Sequence, residues 1–156
     1  MKIFFWSVGR SHEAYVKDGI DLFTKRISNY FRVEWKIISI KNPATLPVEE
    51  IKKTESGSIL KSLQKEDVLV LLDEKGKQFT SEKLAGLLAS QMNQSVKNLV
   101  FLVGGAYGVD NRLIQRANFT WCLSSLTLPH QIVRLILCEQ VYRACTIIKN
   151  EKYHHS

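Results

Sequence analysis

The sequence predicts an α/β fold, a single domain with a mainly parallel sheet covered by helices on both faces. The apolar runs at residues 68–72 and 99–103 are continuous rather than alternating, as strands buried on both faces must be. Segments with helical spacing separate the strand-like runs, the alternation from which parallel α/β sheets are built. The second run ends in Gly104-Gly105-Ala106-Tyr107-Gly108, a backbone-rich turn at a strand end, where open α/β sheets bind ligands.

Each element has its own signal. Residues 2–8 form an Ile/Phe/Val-rich strand, and residues 12–30 read as a helix with Tyr15, Ile20, Phe23 and Ile27 on one stripe. Residues 33–40 are a second strand. Residues 41–58 carry two prolines and several Ser, Thr and Gly, so they read as a polar connection holding at most a helix start at Glu49-Glu50-Ile51. Ile59, Leu60 and Leu63 mark where a helix resumes. The strand at 68–72 is expected to stop at Asp73-Glu74-Lys75-Gly76, a turn-like segment. Residues 81–92 follow as a helix capped near Thr80 or Ser81, and 99–103 as a central strand. A short helix at 109–117 and a last strand at 119–123 lead to Pro129, which sits where helices begin.

The helix after Pro129 is apolar nearly all round, with Ile132, Val133, Leu135, Ile136, Leu137, Val141, Ala144, Ile147 and Ile148 covering more than one stripe. That pattern calls for a very deep central helix or a second partner face, and a symmetric dimer is the favoured expectation. Glu139 and Arg143, four apart, are expected to pair, whereas Arg134 needs an anionic ligand or phosphate to explain its place on so apolar a helix.

Composition narrows the class of function. A chain of 156 residues has room for one well-buried core, and 45% hydrophobic with 24% charged residues is a folded, globular balance. No stretch has the length and apolarity of a membrane span, and residues 1–9 are too short a run for a secretory signal, so the cytoplasm is expected. Cys122, Cys138 and Cys145 are odd in number and form no CxxC pair, which reads as reduced core thiols. The net charge of +7, from 22 Lys and Arg against 15 Asp and Glu, favours a polyanionic partner such as nucleic acid.

The chemistry-bearing segments admit more than one reading. The glycine turn is spaced Gly-Gly-x-x-Gly, matches neither the dinucleotide fingerprint nor a P-loop, and is by itself equally a tight strand-to-helix turn. His130 reads as a cap or packing residue or as a catalyst. Asp73 and Glu74 read as a solvated turn or a carboxylate pair. Tyr153-His154-His155 reads as a frayed tail or a segment folded over a cleft.

Taken together, Thr127-Leu128-Pro129-His130 with Val133-Arg134, then Glu139-Gln140-Val141-Tyr142-Arg143-Ala144 and the tail Tyr153-His154, resemble the ribosomal RNA large subunit methyltransferase H family of SPOUT-class enzymes. Val8-Gly9, Leu71-Leu72-Asp73 with Gly76-Lys77, and Val103-Gly104-Gly105 with Gly108 fall in the same order, so the resemblance spans the chain. It implies a SPOUT-type α/β trefoil knot, a homodimer, and methyl transfer from S-adenosyl-L-methionine to N3 of a pseudouridine in 23S ribosomal RNA on the assembled ribosome, without membrane or metal. By matching position it assigns the cofactor to Leu72, Gly104, Leu123, Ser124, Ser125, Leu126, Thr127 and Leu128. His130, Arg134, Tyr142 and His154 are the catalytic, acceptor-side candidates, with the general base unassigned. The chain departs from the family pattern at Ala106-Tyr107 inside the glycine turn and at His155, where the family carries Lys or Arg. The alternatives are a SPOUT methyltransferase acting on another RNA and a noncatalytic RNA-binding dimer.

Overall fold

Five strands and five helices alternate along the chain: β1 (Lys2–Val8), α1 (Ala14–Ile27), β2 (Arg32–Ile38), α2 (Val48–Ser62), β3 (Val68–Gln78), α3 (Ser81–Asn93), β4 (Asn98–Val103), α4 (Asn111–Arg116), β5 (Phe119–Cys122) and α5 (His130–Ile148). They belong to a computed structural model that describes residues 1–40 and 45–153. The strands form one sheet in the order β2-β1-β4-β3-β5, and every pairing is parallel.

The continuous apolar strands are central because both of their faces are covered. Along β4, Leu99, Phe101 and Val103 face one core and Val100 and Leu102 the other, the two-residue alternation of a pleated strand. The first core joins them to Ile20 of α1, Leu84 and Leu88 of α3, and Leu137 and Val141 of α5. The second packs Leu69, Leu71 and Trp6 against Ile59 of α2 and Leu113 of α4. Helices on both faces are therefore observed, as the strand pattern predicts. Edge strand β2 instead alternates exposed and half-buried residues, with Glu34 paired to Lys2 at 2.6 Å.

Four local expectations change. In α1 the buried stripe is Val16, Ile20 and Ile27, while Tyr15 is exposed. Val16 stands four residues before Ile20, on the same face, whereas Tyr15 stands five before it and is turned away toward solvent. The polar connection is largely a helix: α2 runs unbroken through Ser56, Gly57 and Ser58. Ser56 is buried because its Oγ accepts a hydrogen bond from Asp110 N at 2.9 Å, a tertiary contact that propensity does not reveal. The first part of that connection, residues 41–44, lies outside the described residues.

Strand β3 also continues past its apolar run. Leu72 and Lys77 are both in register with Trp121 of β5, so the intervening residues bow out and the chain rejoins the same ladder. Gly76 allows this: a Cβ there would stand 2.8 Å from the backbone of Thr120 and Trp121. Finally, α4 is shorter than expected and starts at Asn111 after an Asp110 cap.

The capping of α3 by Thr80, which accepts from Lys83 N, and the burial of all three cysteines as free thiols follow the sequence. Burial pushes the Cys138 and Cys145 thiols up to about 12, so both stay protonated. Helix α5 packs between α1 and α3 and is the deep helix that its apolar pattern calls for. Its Glu139–Arg143 pair forms, with Arg143 Nε donating to Glu139 Oε1 at 3.0 Å. No helix among the described residues is long and apolar enough to cross a membrane.

Candidate functional site

The C-terminal ends of β3, β4 and β5 come together at one sheet edge and open a cleft of about 440 Å³. Three segments wall it: residues 72–74 at the bulge of β3, the glycine turn after β4, and residues 123–128 after β5. His130 and Val133, from the first turn of α5, close the fourth side. All eight residues assigned to the cofactor by resemblance, Leu72, Gly104 and Leu123 to Leu128, line this one space.

The glycine turn is held at both ends. Gly108 N donates to Gly105 O at 3.0 Å, and Gly108 adopts a φ of 80°, a conformation that side chains with a Cβ resist. Beyond it, Asp110 caps α4 by accepting from Leu113 N at 3.1 Å, while its own N–H reaches Ser56 of α2. Burial works upward on the Asp110 carboxyl, but the hydrogen bonds from Arg112 and Leu113 outweigh it and hold the group below the usual carboxylate range. Ala106 and Tyr107, the departures from the family pattern, form the exposed tip of the turn. In the loop after β5, Leu126 N donates to Ser124 Oγ at 2.9 Å, and Leu126 itself is 73% exposed at the lip.

The cleft's electrostatics run against the molecule's. Among the described residues that line it there is no Lys or Arg, although the protein carries +7; its charged groups are the carboxylates of Asp73 and Glu74. His130 is held below the usual imidazole value by burial first and by the Arg134 charge second, against a hydrogen bond with the Gly104 backbone. It is therefore neutral at neutral pH. A space with apolar walls, backbone polar groups and two carboxylates suits a ligand bearing a positive charge and repels a phosphate.

The acceptor-side candidates scatter. Of the three that lie among the described residues, only His130 lines the cleft. Arg134 is 1% exposed and faces inward, donating from its Nη1 to Arg10 O at 2.9 Å, with its Nη2 3.4 Å from Val8 O. What accounts for Arg134 on an apolar helix is thus a set of carbonyls at the end of β1, the partners a buried guanidinium requires. Tyr142 lies twelve residues along α5 from His130, about 18 Å at 1.5 Å per residue. There it packs against Tyr153 at 4.7 Å and Phe23 at 5.9 Å between ring centroids. Tyr153 in turn donates to Glu139 Oε1 at 3.2 Å and sits under Arg143, so the tail folds onto α5 at least to this residue. His154 and His155 lie outside the described residues. Among the described residues, Arg134 and Tyr142 do not reach the cleft that His130 lines.

Asp73 and Glu74, read from sequence as a solvated turn or a carboxylate pair, both line the cleft, and their position directly after the apolar run of β3 is the signal that points to them. Two other cleft residues carry no such signal. Trp121 and Val109 reach it only through the register of β5 and the turn before α4, which no local pattern specifies.

Comparison with known proteins places this geometry among related chains. A family model described as "Predicted SPOUT methyltransferase" matches residues 1–154. The ribosomal RNA large subunit methyltransferase H of Cytophaga hutchinsonii is 44% identical over 155 residues, covering 99% of this chain and 100% of that protein. The protein of the same name from Parabacteroides distasonis is 42% identical over 156 residues, with 99% of each chain covered. That from Acetivibrio thermocellus is 38% identical over 160 residues, again with 99% of each covered.

Proposed function

This chain belongs to the SPOUT methyltransferase family, and from that premise we propose that it methylates N3 of a pseudouridine in 23S ribosomal RNA. The methyl donor is S-adenosyl-L-methionine and the substrate is the assembled ribosome. The enzyme works in the cytoplasm as a homodimer. The observation that carries this reading is the cleft where the three segments meet, which gathers every expected donor contact and contains carboxylates but neither Lys nor Arg.

The residues present fit this donor. Leu72, Leu126 and Leu128 offer apolar walls for an adenine, and Leu126 is exposed at the lip for a ligand to cover. Backbone groups of Gly104 and residues 124–128 are the hydrogen-bonding complement for the adenosine edge and ribose hydroxyls. Asp73 and Glu74 supply negative potential beside a cationic sulfonium. When bound, S-adenosyl-L-methionine supplies an already activated methyl group, so the protein's task is alignment and removal of the N3 proton. The general base is unassigned; His130, in the cleft wall and held below the usual imidazole value by burial, is the acceptor-side candidate whose position supports that role.

Two copies are part of the same reading. Tyr142 and Tyr153 stand at the far end of α5 from the cleft, so antiparallel packing of two α5 helices brings one copy's aromatic end beside the other's donor site. The test is methyl transfer from labelled S-adenosyl-L-methionine to assembled ribosomes, with the labelled nucleotide mapped. Label at N3 of the pseudouridine is the expected result. Donor binding without label on this RNA would point to another RNA, and loss of donor binding as well would leave a noncatalytic RNA-binding protein.

A further inference from the structure

A second cleft, of about 690 Å³, lies on the other flank of the β3 bulge, against α3 and edge strand β5. Its chemistry is the reverse of the first. Residues 72–74 give the donor cleft its carboxylates, whereas the next residues of the same strand, Lys75 and Lys77, line the second cleft together with Lys83 of α3. None of the three lysines takes part in an ion pair among the described residues, so their charge is not already neutralised by a carboxylate. Half-buried Phe79 and Phe119 supply apolar ring surface between them.

The decisive residue is Gln91. It is only 5% exposed, lines this cleft, and its side-chain amide makes no hydrogen bond to any described residue. The amide nitrogen and oxygen are not among the enclosed polar atoms that lack a partner, so they keep access to the cleft, where a ligand can meet them. Its donor and acceptor, in a cleft that Phe79 and Phe119 also line, match the hydrogen-bonding edge of a nucleobase. Lysines at the rim match the flanking phosphates.

We propose that this cleft is a subsite for an unpaired ribonucleotide of the RNA substrate, with the base on Phe79 and Phe119 against the Gln91 amide and its phosphates on Lys75, Lys77 and Lys83. The proposal rests on the reading of the chain as an RNA methyltransferase and locates part of its substrate outside the donor cleft. The two clefts share one strand, and the change from Asp73-Glu74 to Lys75-Gly76-Lys77 sorts a cationic donor from an anionic acceptor within about 10 to 15 Å of extended chain.

The test uses the full chain and a fluorescent single-stranded ribohexanucleotide, titrated by anisotropy over a range of salt concentrations. Donor binding is followed by calorimetry with S-adenosyl-L-methionine. Gln91→Leu, which preserves volume, is expected to weaken hexanucleotide binding about tenfold with the salt slope unchanged. The triple variant Lys75→Gln, Lys77→Gln, Lys83→Gln is expected to flatten the slope of log K against log salt by about 2, at about 0.7 per phosphate contact. Both variants should keep wild-type donor affinity and thermal stability.

Wild-type hexanucleotide affinity and slope in both variants would overturn the proposal. So would a change of sedimentation to monomer, which would make the cleft an interface between copies. Methylation of ribosomes by both variants with unchanged KM sinks the subsite and leaves the enzyme assignment standing. Loss of hexanucleotide binding in the variants, with no ribosome methylation by the wild type, does the reverse.

Discussion

Burial, seconded by the Arg134 cation, sets the charge states of the two histidines nearest the start of α5. His130 and His12 are both held below the ordinary value of 6.5, by burial first and the Arg134 cation second. His12 is fixed edge-on against Trp35 at 4.7 Å, with its Nδ1 3.4 Å from Arg134 Nη1. The unfolded chain therefore binds protons on these residues before the folded one does. Their influence on stability is absent above pH 6.5, and stability falls as pH drops from there through the lowered folded values. Asp110 acts in a lower window, because its carboxyl is held below 3.8. Urea unfolding at a series of pH values is expected to show a decline that starts near 6.5, and the double variant His12→Gln, His130→Gln is expected to flatten it. An unchanged slope in the double variant would show that other groups bind those protons.

At the scale of elements, the bulge in β3 carries the most functional weight, since one strand walls both clefts and only a glycine fits where it crosses β5. Gly76→Ala places a methyl group 2.8 Å from backbone atoms of Thr120 and Trp121, which have no rotamer to relieve the contact. The expected destabilisation is about 1–3 kcal/mol, as for other overpacked sites, measured by denaturant unfolding. Donor binding should weaken as well, because residues 72–74 shift with the strand; wild-type stability in this variant would mean that the bulge relaxes freely.

The same element shows how far local pattern reaches. Residues 68–72 were legible as a buried strand because both faces demand apolar side chains. Their continuation to Gln78 was not, because pairing of Lys77 with Trp121 is a contact across more than forty residues. Helix α2 was hidden for a related reason: Ser56 and Gly57 argue for a loop until Ser56 is seen bonded to Asp110. The cleft loops after β4 and β5 were legible as glycine and Ser/Thr/Pro turns at strand ends. Arg134 was legible as anomalous, but its partners lie at the end of β1, more than a hundred residues earlier in the chain.

For the whole molecule, the question is how a cleft without cations meets a polyanion in a protein of charge +7. All eight proposed donor contacts line one cleft of one chain, whereas Tyr142 lies about 18 Å along α5 from His130, and the proposed dimer is what would bring an aromatic end to that cleft. On the proposed dimer reading, the outer surface of α5 is where the second copy would pack. Ile132, Leu135 and Tyr142 lean on the core beneath α1 and α3, but Ile136 is half-buried and belongs to neither core. An aliphatic side chain there contributes little to the fold of one chain and much to a contact between two. Ile136→Glu is therefore expected to leave thermal unfolding of the monomer within about 0.5 kcal/mol of wild type, as for other surface substitutions. It should nevertheless convert the sedimenting species from dimer to monomer. S-adenosyl-L-methionine should still bind the monomer with near wild-type affinity, because no donor contact comes from the partner. Methyl transfer to ribosomes should fall to background, because each donor cleft has lost the aromatic end of the opposing α5. A variant that sediments as a monomer and methylates at the wild-type rate would place the entire acceptor site within one chain and remove the need for a dimer in catalysis.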